Sequence, residues 1–234
     1  MIAINKELKK IKRALNYSSD VVTRDIESQG KKIALVYLDG MIAVRTLDLG
    51  IVTPLIENGY KINGDVSELA GILATSEKVE FLETLPDALQ KVYTGGCLIL
   101  IEGANGYAVC SAQGFISRAV MEPPVSSVIK GPREGFTESF KTNVTLIRRR
   151  FASGKLVFKS LTVGRYSATH IELCYVKGIA NPKIVKEIER KIKKIDIDVI
   201  IDSSYVAKLL EDRRYSHFKQ TGSTEKPDIL ASKL

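Results

Sequence analysis

The chain has 234 residues, 44% hydrophobic and 26% charged, which fits one large domain or two small ones and excludes disorder over most of its length. Its 35 Lys and Arg against 27 Asp and Glu give a formal net charge of +8, a balance that favours anionic surfaces such as membrane headgroups or nucleic acid. Three widely spaced cysteines, Cys97, Cys110 and Cys174, exclude a disulfide framework or a zinc pattern. With no secretory signal and no apolar run near the ~20 residues of a bilayer span, the chain is expected to be soluble and cytosolic.

Ile4, Leu8, Ile11 and Leu15 recur at helical spacing, with Lys6, Lys9, Lys10, Lys12 and Arg13 on the other faces. A packed helix with a solvated basic side is the first reading, and a helix lying on a membrane the second. A short helix carrying Val22 and Ile26 is expected after an N-cap at Ser18 or Ser19. Residues 33–38, closed by Asp39-Gly40, read as a buried strand; 41–56 is apolar without a clear period. Asp65 and Glu68 have capping-box spacing before Leu69, Ile72 and Leu73. A strand over 78–82 and a helix opened by Thr84-Leu85-Pro86 and closed by Gly95-Gly96 come next. Residues 97–101 form another strand, and a hairpin turn at Asn105-Gly106 leads into 107–110.

Glu122-Pro123-Pro124 suits a linker, because two prolines fix φ and remove donors. The expected organisation is an N-terminal subdomain over 1–121, a linker and loop over 122–135, and a second subdomain over 136–234. Each is a short sheet with packed helices, an α/β class with mixed α+β as the alternative. In the second half, Phe136, Phe140, Val144, Ile147 and Phe151 mark a helix N-capped at Thr137 and stopped by Gly154. Leu156–Val163 and Thr169–Val176 read as paired strands. Asn181-Pro182 starts a helix lined by Ile184, Ile188, Ile192 and Ile195, with Glu187–Lys191 and Glu189–Lys193 pairs. A short strand over 195–201, a helix capped by Asp202 or Ser203, a polar loop over 216–227 and a final helical segment follow. That segment reaches Leu234 without a stop signal, as expected of a piece cut from a longer protein.

No catalytic constellation stands out, and no cofactor is expected. His170 and His217 lack metal-ligand spacing, and no GxSxG, Walker A or GxGxxG motif occurs. Asp196 and Asp198 share one side of their strand and suit acid–base work less well than a solvated edge. Asp39 and Glu102 end strands, where α/β folds often hold ligands, and serve equally well as turn residues. Arg148, Arg149 and Arg150 are about 100° apart on a helix, so they fan out toward different partners, carboxylates of a neighbouring lobe or subunit among them. Gly131-Pro132-Arg133-Glu134-Gly135 forms a constrained connector into the Phe136 helix.

The stretch from Met121-Glu122-Pro123-Pro124 through Arg150, with VIKGPREGFTESFKTNVTLIRRR inside it, resembles the signature of the GerA family of spore germinant-receptor A subunits. The similarity continues through YVKGIANPKIVKEIERKIKKIDID and TEKPDILASKL, and is looser in the first half. Lys130 stands where the family usually has arginine, and Val125-Ser126-Ser127 where a glutamate is common. The resemblance implies the N-terminal domain of an integral membrane protein of the spore inner membrane, facing the spore core. It implies a role without enzymatic turnover, in nutrient sensing and signal transduction through receptor assembly. The implied partners are B and C subunits and the chain's own downstream transmembrane domain. A homo-oligomer and a small nutrient ligand held between two lobes are further candidates, and nucleic acid is the weakest. Lys130, Gly131, Pro132, Arg133, Glu134, Gly135, Arg148, Arg149 and Arg150 are the candidate coupling residues.

Overall fold

The computed structural model describes residues 2–62, 64–73, 78–114, 134–211 and 220–234. Two antiparallel sheets organise them, one of five strands and one of two. The first lobe is built around β1 (Val21–Ser28), β2 (Lys31–Leu38), β3 (Val79–Leu82), β4 (Gly96–Ile101) and β5 (Tyr107–Ser111), in the order β1-β2-β4-β5-β3. The central strands β2 and β4 are apolar almost throughout because both faces of this sheet are covered. Ile33, Leu35, Cys97, Ile99 and Ile101 point to one core, and Ala34, Val36, Leu38, Leu98 and Leu100 to the other.

Helices α1 (Ile4–Ala14) and α4 (Leu85–Tyr93) cover the second of these faces with Ile4, Ile11, Leu89 and Val92. The opposite face is covered by a π-helical segment over Thr46–Val52 that runs into α2 (Thr53–Asn58), and by α3 (Leu69–Ile72). The ambiguous stretch over 41–56 is thus mainly helical. Pro54 has no N–H to offer Gly50, and the wide turn lies just before it, with Thr53 N–H donating to Asp48 O. The capping box forms as its spacing predicts: Asp65 accepts from Ser67 N–H at 2.7 Å, and Glu68 accepts from Asp65 N–H at 3.3 Å.

The second lobe is a hairpin of β6 (Leu156–Val163) and β7 (Thr169–Val176), at the predicted bounds and fully paired from Leu156↔Val176 to Val163↔Thr169. Leu156, Phe158, Cys174 and Val176 face α5 (Phe140–Arg150) and α8 (Pro227–Lys233). Leu161, Val163 and Ile171 face α6 (Pro182–Lys193), α7 (Ser203–Leu210) and the segment between them. Asn181 and Asp202 cap α6 and α7, each accepting a backbone N–H.

Four expectations differ from what is seen. The helix expected to carry Val22 and Ile26 is strand β1: Gln29 (φ 47°) and Gly30 (φ 86°) turn the chain into a tight hairpin, and pairing with β2 outweighs the helical spacing. Helix α5 begins after Ser139, whose hydroxyl accepts from Thr142 N–H, so Thr137 is not its cap; Thr137 N–H instead donates to Asn143 Oδ1 at 2.7 Å. Ile184 is exposed, and α6 buries Val185, Ile188 and Ile192. Residues 195–201 form no ladder; the carbonyls of Ile197 and Asp198 accept from Arg165 and Tyr166 N–H in the β6–β7 turn. The expected linker lies outside the described residues up to position 133, as does His217.

Candidate functional site

The two lobes meet where the turn between α1 and β1 packs on α5 and β6. Asn16 and Tyr17 adopt left-handed φ of 54° and 53°, which folds the chain back toward β6. Ser19 N–H then donates to Phe158 O at 2.9 Å, and Phe158 N–H donates to Ser18 Oγ at 2.8 Å. A first-lobe turn thereby satisfies backbone groups of a second-lobe strand.

Arg148 enters this junction from α5. Its Nε donates to Asp20 Oδ2 at 2.7 Å and its Nη2 to Asp20 Oδ1 at 2.9 Å, a two-pronged contact between planar groups. Nη2 also donates to Ser18 Oγ at 3.2 Å and Nη1 to Ser153 O at 3.0 Å, while the guanidinium lies 5.0 Å from the Phe158 ring centroid. Arg148 is 2% exposed and Asp20 7%, so both charges have left water, and all three guanidinium nitrogens donate to protein partners.

Smaller contacts surround this pair. Lys141 Nζ on α5 pairs with Asp39 Oδ2 at 2.8 Å, Ser19 Oγ donates to Glu172 Oε2 at 3.0 Å, and Asn16 Nδ2 donates to Gly154 O at 2.8 Å. Hydrogen bonding to Asp39 raises the pKa of Lys141 above its ordinary value. Two glycines allow the close approach: a Cβ on Gly40 (φ 78°) would overlap Thr145 Oγ1, and one on Gly154 would overlap the Tyr93 hydroxyl. Gly154 therefore serves lobe contact as well as following the helix end. A cleft of about 180 Å³ remains between the lobes, lined in part by Ser19, Asp39, Phe140, Lys141 and Glu172.

The arginine triplet divides its work as a fan would. Arg150 Nη2 donates to Glu134 Oε2 at 2.6 Å, and Arg149 Nη1 approaches Glu134 Oε1 at 3.4 Å. The hydrogen bond from Arg150 holds the Glu134 carboxyl below the usual carboxylate range. Gly135 is buried beside it, whereas Lys130, Gly131, Pro132 and Arg133 lie outside the described residues. One helix thus joins the end of the GPREG loop, through Arg149 and Arg150, to the first lobe, through Arg148.

The other candidate side chains have structural partners. Arg165 makes two 2.7 Å hydrogen bonds to Asp196 and lies 3.7 Å from Asp198, so that carboxylate pair flanks a cation on the hairpin turn and no strand edge. Glu102 Oε2 accepts from Ile4 N–H at 3.0 Å at the start of α1, and His170 stacks on Phe140 with centroids 5.6 Å apart. Among the described residues no group of three or more His, Cys, Asp or Glu is placed to hold a metal ion, and no helix is long and apolar enough to cross a membrane. Asp20 and Ser18 were missing from the sequence-derived candidates; their partner is 128 to 130 positions away, and a short polar run before a strand carries no sign of it.

Residues 9–234 match the family model described as Bacillus/Clostridium GerA spore germination protein. The chain is 30% identical over 236 residues to spore germination protein KA of Bacillus subtilis (strain 168), covering 99% of this chain and 43% of that protein. It is also 30% identical to stage V sporulation protein AF of the same organism, covering 98% and 47%. The chain thus spans less than half the length of these relatives. The crystal structure of the N-terminal domain of the A subunit of the Bacillus megaterium spore germinant receptor GerK3 superposes with a TM-score of 0.75 at 29% identity, covering 99% of this chain and 87% of that one. A family match over nearly the whole sequence, joined to the same fold, makes this chain a member of the GerA spore germination family.

Proposed function

We propose that this chain is the assembly and signal-coupling module of a germinant-receptor A subunit, acting without catalytic turnover. The observation that carries the reading is the Arg148–Asp20 pair, in which two buried charges tie α5 to the first lobe while the next two arginines hold Glu134. Leaving either buried charge unpaired is costly, so a displacement of the GPREG loop reaches the first lobe through one rigid helix. In this reading the module sits on the spore-core side of the inner membrane, works with B and C subunits and a downstream transmembrane domain, and assembles with further copies. The alternative, direct binding of a nutrient between the lobes, draws little support from a cleft of about 180 Å³, below the roughly 300–1,000 Å³ of small-molecule sites.

The test is Glu134→Ala in the full receptor, followed by receptor level in the membrane and by nutrient-triggered germination. Loss of either, with the isolated domain still folded, is the expected result. Germination at the parent's rate would sink the coupling role. A melting-temperature shift of the isolated domain with an amino acid, sugar or nucleoside would favour the alternative.

A further inference from the structure

Beside the junction, on its outer side, two turns stand next to each other: the α1–β1 turn and the β7–α6 turn. Lys177 Nζ donates to Asn16 Oδ1 at 2.6 Å, and Lys177 N–H donates to Lys155 O at 2.8 Å, so the turns are tied to each other and to the start of β6. The end of α1 adjoins them, since Asn16 and Tyr17 N–H donate to Arg13 O and Lys12 O. Lys12, Arg13, Lys155 and Lys177 are all exposed, and none forms an ion pair among the described residues. Asp20, buried against Arg148, is the one carboxylate in the last turn of α1 and the two turns. The neighbouring acids are engaged elsewhere, Asp20 on Arg148 and Glu172 on Ser19.

Two large apolar side chains project from the same place, Tyr17 at 66% and Ile179 at 73% exposure. Gly178 (φ 94°) and the 3.2 Å bond from Ile179 N–H to Val176 O make the second turn tight, so Ile179 is held outward by a fixed backbone. A solvated cationic face has no need of such residues. A ring with a polar tip and a branched aliphatic chain among four cations match the layered chemistry of a bilayer interface, where Tyr sits at headgroup level and cations meet lipid phosphate. A nucleic-acid phosphate backbone would use the cations and leave Ile179 in water.

From this arrangement we infer that the paired turns form a docking surface for an anionic lipid bilayer. The surface belongs to both lobes at once, so docking sets the orientation of the whole junction. It is independent of the coupling role proposed above, because it uses neither Arg148 nor Glu134.

The test is co-sedimentation of the 234-residue chain with vesicles of phosphatidylcholine alone and of phosphatidylcholine mixed with phosphatidylglycerol, at low and high salt. Binding only to the anionic vesicles, weakened by salt, is expected. Each cation near an anionic leaflet contributes a factor of about five, so Lys12→Gln with Arg13→Gln should reduce partitioning roughly 25-fold. Tyr17→Ser with Ile179→Ser should reduce it about tenfold while leaving the circular dichroism of the chain unchanged. The control is Lys31→Gln with Lys61→Gln, which removes the same charge at the far end of β1, about 25 Å away, and should lose at most a few-fold. No binding to anionic vesicles at low salt, an equal loss in the control, or tighter binding to a DNA duplex insensitive to Tyr17 and Ile179 would each overturn the inference.

Discussion

Replacing Arg148 with methionine keeps most of the stem that packs beside Phe158 and removes the charged fork. Asp20 then remains buried with the Ser18 hydroxyl as its side-chain donor, at 2.6 Å. Breaking one side of a buried ion pair costs about 3–5 kcal/mol, because the remaining charge stays desolvated. For a chain of this size that corresponds to a fall in melting temperature of roughly 6–20 °C. Urea unfolding followed by circular dichroism reads the same loss as a lower midpoint. Because the pair joins two lobes with separate cores, the variant should also depart from a single transition, with the lobes unfolding apart. Adding Asp20→Leu removes the stranded carboxylate and should restore most of the stability, since an apolar pair of similar volume replaces a buried ion pair at little cost. A loss below about 1 kcal/mol in Arg148→Met, the value of an exposed pair, would refute the reasoning.

Three further outcomes follow from the same geometry. Gly40→Ala should cost about 2–4 kcal/mol from left-handed strain plus overlap with Thr145, and adding Thr145→Ala should recover the steric share, leaving about 1 kcal/mol; a denaturation series in which the second change recovers nothing would contradict the close approach. Hydrogen bonds from Lys159 and then Lys193 bring the Glu189 pKa down to about 2, so its contribution is fully present above its unfolded value near 4.3 and is lost as pH falls toward 2. Glu189→Gln should therefore flatten the stability profile across that acid window and leave its shape above pH 6 unchanged. Burial raises the Cys97 thiol pKa and pushes that of Cys174 up to about 12, so a thiol reagent at neutral pH should label these cysteines slowly in the native chain and rapidly in urea; fast native labelling of Cys97 would place β4 outside the core.

Local chemistry made much of the second lobe legible in the sequence. The β6–β7 bounds, the Asn181 cap and the Glu189–Lys193 pair follow from alternation, capping and helical spacing, which act between residues a few positions apart. The same holds for the Asp65–Glu68 box and the apolar runs of β2 and β4. The resemblance around GPREG likewise lay in one continuous stretch and gave the family without any knowledge of the fold.

Tertiary contacts decided the rest. Val21–Ser28 has spacing compatible with a helix and becomes a strand because β2 offers it a free edge and Gln29-Gly30 a tight turn. The Arg148–Arg150 run predicts three diverging guanidinia, yet only the packing of α5 on β6 decides that Arg148 is the one driven inward. Its partner Asp20 lies 128 positions away in another lobe, beyond the reach of any local pattern. Periodicity and capping thus determined most of the elements of this protein, and the resemblance of continuous stretches determined its family. The orientation of one arginine, and with it the link between lobes, depended on burial, which exists only once distant segments have packed together.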